Sequence, residues 1–169
     1  SIGAITENGG GLTLNKADGN TWVVNGVRTY TGVTQVDNGT LKIGLDNALP
    51  TATAVRIGTG ATAGTLDLNG FSQTIGSLTV QSTSDLVTNN IVVDSGKTLT
   101  INGAVTLGVN ANASSTAVTA SGGGSIVVNS GGANFQVGGA TGGTNDNKVT
   151  ADFSGLSTFT ANLGTCTFL

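Results

Sequence analysis

The sequence predicts an all-β fold, a parallel β-helix or β-solenoid with essentially no α-helix, and three observations point there. Only 9% of the 169 residues are charged, while Gly numbers 28, Pro 1 and aromatics 4%; an average globular chain carries about 25% charge. A short motif, a small polar entry followed by apolar-x-apolar and then Asn or Gly, returns along most of the chain. Small turn residues also interrupt each apolar stretch before it is long enough for an amphipathic helix.

The motif reads GLTLN ending at Asn15, TLKIG at Gly44, TLDLN at Asn69, TLTIN at Asn102 and SIVVN at Asn129. Its first apolar positions, Leu12, Leu41, Leu66, Leu99 and Ile126, are separated by 29, 25, 33 and 27 residues, within the range of solenoid repeats. Inside each motif the alternation is that of a strand: Leu66 and Leu68 share one face, Thr65 and Asp67 the other. Further strands are expected at Thr21 to Val24, Thr34 to Val36, Ala54 to Ile57, Ser77 to Val80, Ile91 to Val93 and Ala104 to Leu107. From Lys148 onward the alternation continues through Val149, Ala151, Phe153, then Phe159, Ala161, Leu163, then Cys166 and Phe168. Residues 1–169 therefore read as one solenoid domain of about five to seven coils, spaced at ~4.8 Å.

Repetition is a physical necessity for such a design. The N–H and C=O groups of one coil find partners only on the coil above or below, so stability belongs to the stack and not to any single turn. The corners carry their own signal. Asn-Gly stands at Asn25-Gly26, Asn38-Gly39, Asn69-Gly70 and Asn102-Gly103, and both residues tolerate the left-handed backbone of a tight corner. Asn-Gly is also a hairpin signal. The return of Asn at the same phase, as Asn15, Asn69, Asn102 and Asn129, favours coils whose asparagines stack as an amide ladder, with Gly70 and Gly103 completing the corners.

From Val27 to Val80 the chain contains TYTG at Thr29 to Gly32, NGTLKIG at Asn38 to Gly44, NALP at Asn47 to Pro50 and LDLNGFSQTIGSL at Leu66 to Leu78. This stretch resembles the autotransporter-associated β-strand repeat of secreted and surface proteins of Gram-negative bacteria; residues 81–169 fit by pattern and composition, as further coils. The resemblance implies a right-handed parallel β-helix, exported across the inner membrane, with a structural role and no catalytic residues.

The composition narrows the chemistry. With no His, the common nucleophile–base arrangements and imidazole metal sites are excluded. A net charge of −3 with six scattered cations does not suit nucleic acid or an anionic membrane. No stretch approaches 18 apolar residues, and the first residues do not read as a signal peptide. No cofactor is expected. Since parallel β-helices can host polysaccharide-active enzymes, Asp37, Asp46 and Asp67 are the acids to test; Asp37 and Asp46 sit in turn-like contexts and Asp67 points outward. Asn145-Asp146-Asn147 is a possible calcium loop without the nonapeptide repeat that would support it. Cys166 reads as a small apolar filler, with an intermolecular disulfide as the other possibility.

Two functions follow: a stalk or adhesin module that meets surface glycans or proteins, or a fibre subunit that stacks end to end through unpaired coil ends. For the second, Phe168 and Leu169 are the candidate self-association residues.

Overall fold

The computed structural model describes residues 7, 11–58, 61–82, 87–108, 116–138 and 148–168. Seventeen short strands and no helix occur among them, arranged in three sheets whose strands all pair in parallel. Sheet 1 takes β2 (Thr21–Val24), β4 (Gly39–Ile43), β6 (Gly64–Asp67), β9 (Thr88–Val92), β12 (Thr116–Ser121) and β15 (Val149–Asp152). Sheet 2 takes β7 (Gln73–Ile75), β10 (Thr98–Ile101), β13 (Ser125–Asn129) and β16 (Thr158–Asn162). Sheet 3 takes β1 (Leu14–Lys16), β3 (Thr34–Val36), β5 (Ala54–Ile57), β8 (Ser77–Val80), β11 (Val105–Leu107), β14 (Asn134–Val137) and β17 (Thr165–Phe168). The chain visits sheets 1, 2 and 3 in that order in each of its last four coils, as a parallel β-helix does. In the first two coils it passes from sheet 1 to sheet 3 without a sheet 2 strand.

Strand alternation places the core. In sheet 1 the inward column runs Leu41, Leu66, Ile91, Ala120, and in sheet 3 Val55, Leu78, Val105, Phe135, each residue paired with the next. These side chains are at most 6% exposed, so along these columns the interior is a thin seam of apolar groups. The coils also differ in residue count, narrow in that sense at the amino-terminal side and longer toward the other. Paired sheet 3 residues step by 20, 21 and 23 positions through Leu14, Thr34, Val55 and Leu78, then by 27, 30 and 31 through Val105, Phe135 and Cys166.

The sequence motif does not mark one side of the coil. Leu41 pairs with Leu66 on sheet 1, but Leu99 pairs with Ile126 on sheet 2, and the interval of 33 between Leu66 and Leu99 is one coil plus one side. The expected asparagine ladder breaks for this reason: Asn15 lies on sheet 3 opposite Gln35, Asn69 follows a sheet 1 strand, and Asn102 and Asn129 belong to sheet 2. What recurs is a strand end, which every side of the coil possesses. Part of the ladder stands on sheet 2: Asn102, one residue past the Ile101–Val128 pair, falls in one column with Asn129 and Asn162, and all three are exposed.

The corners also differ from one another. Asn69 (φ 50°) and Gly70 (φ 83°) both take the left-handed conformation, whereas Asn25, Gly26, Asn102 and Gly103 keep ordinary backbone angles. Gly103 is required for a different reason: a Cβ there would lie 2.4 Å from the Gly76 carbonyl oxygen of the coil below. Leu12, expected inside, is 42% exposed.

Candidate functional site

Two features depart from the regular coil, and both follow from which residues occupy inward positions. The first is the seam where irregular chain meets strand on the third side. Coils 1 and 2 close that side with residues 25–33 and 44–53, joined by an Arg28 N–H to Ala48 C=O bond of 2.9 Å. Against them lies β7, whose first inward residue is Gln73 and whose second is the aliphatic Ile75. The buried Gln73 amide accepts from the Leu49 N–H (3.0 Å) and donates to the Leu49 carbonyl (3.1 Å), while Asn47 Oδ1 accepts from the Thr74 N–H (2.8 Å). Side-chain amides thus supply the bonds a neighbouring strand would have made.

Behind the seam the interior of coils 1 and 2 is hydroxylic. The Tyr30 hydroxyl lies 2.5 Å from Thr34 Oγ1, which lies 3.0 Å from Thr53 Oγ1, and Thr53 donates onward to the Gly32 carbonyl. Burial pushes the Tyr30 phenol above its ordinary pKa, so it stays a neutral hydrogen-bonding group. Outside this chain of hydroxyls lies a concavity of about 490 Å³ lined by residues that include Arg28, Tyr30, Asp46, Asn47 and Pro50. At the narrow end, Lys16 occupies an inward position with a fully buried side chain. Its ammonium donates to the Asp18 carboxylate and carbonyl and to the Asn38 carbonyl, and sits 5.3 Å from the centre of the Trp22 ring.

The second feature is the face of the last coil. Val149, Ala151, Phe153, Phe159, Ala161, Leu163, Cys166 and Phe168 alternate inward as the sequence suggests, but among the described residues nothing lies above them. They surround a concavity of about 540 Å³. Phe153 stacks on Phe159 (5.0 Å, 20°), Phe159 meets Phe135 edge-on at 5.7 Å, and Phe168 stands 75% exposed at the rim. Cys166 is exposed and not the buried filler expected: it pairs with inward-facing Phe135, and among the described residues no strand pairs with it on the other side. Leu169, the second residue expected in self-association, lies outside the described residues, as do Asn145-Asp146-Asn147.

The candidate acids are not brought together. Asp37 accepts from Gln35 Nε2 (2.9 Å) at the end of β3, Asp46 accepts from the Ser72 N–H (2.7 Å) on the irregular side, and Asp67 pairs with Lys42 (3.0 Å) on the outer face of sheet 1. Each is engaged where it stands. Among the described residues no three His, Cys, Asp or Glu side chains gather in metal-binding geometry.

Sequence reasoning missed Lys16, Gln73, Tyr30 and Asn89. Asn89 is fully buried, accepts from the Gly64 N–H (2.9 Å) and donates to the Gln81 carbonyl (3.3 Å) at the corner between coils 3 and 4. A signal was present in Gln73, since QTI fills an apolar-x-apolar slot with an amide at its first position. Compared with known proteins, the chain matches no family model, no curated protein and no solved structure.

Proposed function

We propose that this chain is a structural, non-catalytic segment of a secreted or surface protein of a Gram-negative bacterium, serving as a stalk or adhesin module. The observation that carries the reading is the ladder itself: sheets 1 and 3 run without a break through all six coils. At ~4.8 Å per coil this is a stiff spacer of roughly 30 Å held by backbone bonds along its axis. Support also comes from the stretch that resembles the autotransporter-associated repeat, which starts on the irregular side of coil 1 and ends with β8 at Val80. A polysaccharide-active enzyme is disfavoured because Asp37, Asp46 and Asp67 are held apart by separate local bonds.

Anchored at its carboxy-terminal side on a bacterial surface, the chain should hold an amino-terminal fluorophore measurably farther from the membrane than the anchor alone does. Equal distances would overturn the stalk reading. Binding to immobilised surface glycans would assign the adhesin role instead. The end-to-end fibre is the weaker alternative, because the first and last described coils differ in strand number and in the polarity of what they bury.

A further inference from the structure

Deepening the adhesin half of that reading, on which it rests, we infer that the concavity on the third side of coils 1 and 2 binds a neutral oligosaccharide.

The hollow follows from the local fold. Coil 2 closes its third side with residues 44–53, which turn at Pro50, where the Thr53 N–H donates to the Pro50 carbonyl (3.0 Å). Between this turn and residues 27–31 lies a space of about 490 Å³, within the range of small-molecule sites. Chain continues past it in both directions along the axis. Residues 46–49 bond to β7, and the Thr31 N–H and hydroxyl donate to the Glu7 carboxylate. The turn is also held firmly. The Gly76 N–H donates to the Thr53 carbonyl (2.8 Å) and the Thr53 hydroxyl to the Gly32 carbonyl (3.0 Å). Gly76 permits this approach, since a Cβ there would lie 2.4 Å from the Ala52 carbonyl oxygen. A site built in advance loses little freedom when a ligand enters.

The groups that coil 3 leaves free decide which ligand fits. Asp46 uses one carboxylate oxygen on the Ser72 N–H (2.7 Å), and Asn47 uses its side-chain oxygen on the Thr74 N–H (2.8 Å). Among the described residues the second Asp46 oxygen and the Asn47 amide nitrogen have no partner. Both residues are exposed, and together they present a charged acceptor beside a donor. Adjacent hydroxyls of a sugar, each able to donate and accept, answer such a pair. The exposed Thr29 and Thr51 hydroxyls add to it, while Val27, 61% exposed, and Pro50 offer apolar surface to the C–H face of a ring.

Other ligands fit less well. An anion would meet Asp46, the only exposed charge among the lining residues, since Arg28 is 2% exposed. One carboxylate is too few for a divalent cation. A peptide strand would need the backbone of residues 27–31, where the Arg28 and Thr31 amides already donate to the Ala48 carbonyl and to Glu7. With Tyr30 buried, the lining residues offer no aromatic platform, so the expected affinity is low, with a Kd of about 1 mM.

Titrating the isotope-labelled 169-residue chain with maltotriose, cellotriose and mannotriose should shift amide resonances of residues 27–31 and 46–53 for at least one of them, and trigalacturonate should bind more weakly. Asp46→Asn and Asn47→Asp each keep the oxygen that meets coil 3 and remove one group offered to the sugar, so each should weaken binding by about tenfold. The D46N/N47D double variant again sets a charged acceptor beside a donor and should recover most of the loss, which a merely misfolded wall would not. Asp67→Asn removes the same charge from the outer face of sheet 1 and should leave binding unchanged. Shifts that map elsewhere, binding indifferent to D46N and N47D, or tighter binding of trigalacturonate would overturn this site and leave the adhesin role standing. No shift with any of the three neutral sugars would also overturn the site, and a glycan array without binding would remove the adhesin role along with it.

Discussion

The first two coils close their third side with irregular chain and the last four close it with strand, and their interiors differ accordingly. The narrow half buries Lys16, Arg28, Tyr30, Thr34, Gln35, Thr53 and, at the seam, Gln73, whereas the wide half buries Val118, Ala120, Ile126, Val128 and Phe135 with few polar groups among them. A strand satisfies its own backbone through the ladder and leaves its inward side chains free to be aliphatic. At the seam, where the ladder is missing, the Leu49 backbone is met by the Gln73 amide and the Gly32 carbonyl by the Thr53 hydroxyl, so there the core is polar because the backbone requires it.

Gln73 and Leu99 are register partners on sheet 2, so exchanging their characters tests the comparison directly. The largest effect is expected from Leu99→Gln. It removes a fully buried apolar side chain and puts an amide where the ladder already satisfies the backbone, costing about 3–5 kcal/mol in urea unfolding. Gln73→Leu should cost about 2–4 kcal/mol, because Leu49 loses a partner for both its N–H and its C=O. If Gln73→Leu were neutral, irregular chain would not need the amide and the account of the seam would fail. Tyr30→Phe should cost less, about 1 kcal/mol, since Thr34 keeps its bond to Thr53 and only the phenol contact is lost.

These residues also indicate how far the fold could be read beforehand. Strand positions and inward faces were legible because alternation needs only neighbouring residues; the expected strands at Thr21, Thr34, Ala54 and Ser77 match β2, β3, β5 and β8. The side of the coil to which a strand belongs was not legible, because Leu-x-Leu-Asn describes any strand that ends at a corner. For that reason the asparagines were assigned one column and occupy three sheets. The apolar face of the last described coil was legible in part: Phe168 stands exposed at its rim, while Cys166, expected inside, is exposed as well. The missing third strand of coils 1 and 2 could not be seen, as NALP and its neighbours state where strand stops and not what replaces it.

The smallest effect expected concerns the two ends, each of which carries one depressed carboxyl. At the narrow end the Lys16 ammonium, and next the Asn20 N–H, hold Asp18 below its ordinary value of 3.8. At the wide end the hydroxyl and N–H of Ser154 hold Asp152 below it as well. A carboxyl whose folded pKa is lowered contributes stability that is complete above its unfolded value and is lost as pH falls through the folded one. Both contributions should therefore be present above about pH 5 and disappear below 3.8. Their sources can be separated, because Asp18 depends on a buried cation and Asp152 on a local turn. Lys16→Met should remove the larger share of the acid-limb slope that Asp18→Asn abolishes, the Asn20 N–H keeping the rest, and leave the Asp152 part intact. Melting temperatures measured from about pH 5 to about pH 2 on the two single variants and their combination would settle it. Additive slopes from Lys16→Met and Asp18→Asn would mean that the ammonium is held by the Asn38 carbonyl and the Trp22 ring, and that the charge plugging the narrow end does not need its carboxylate.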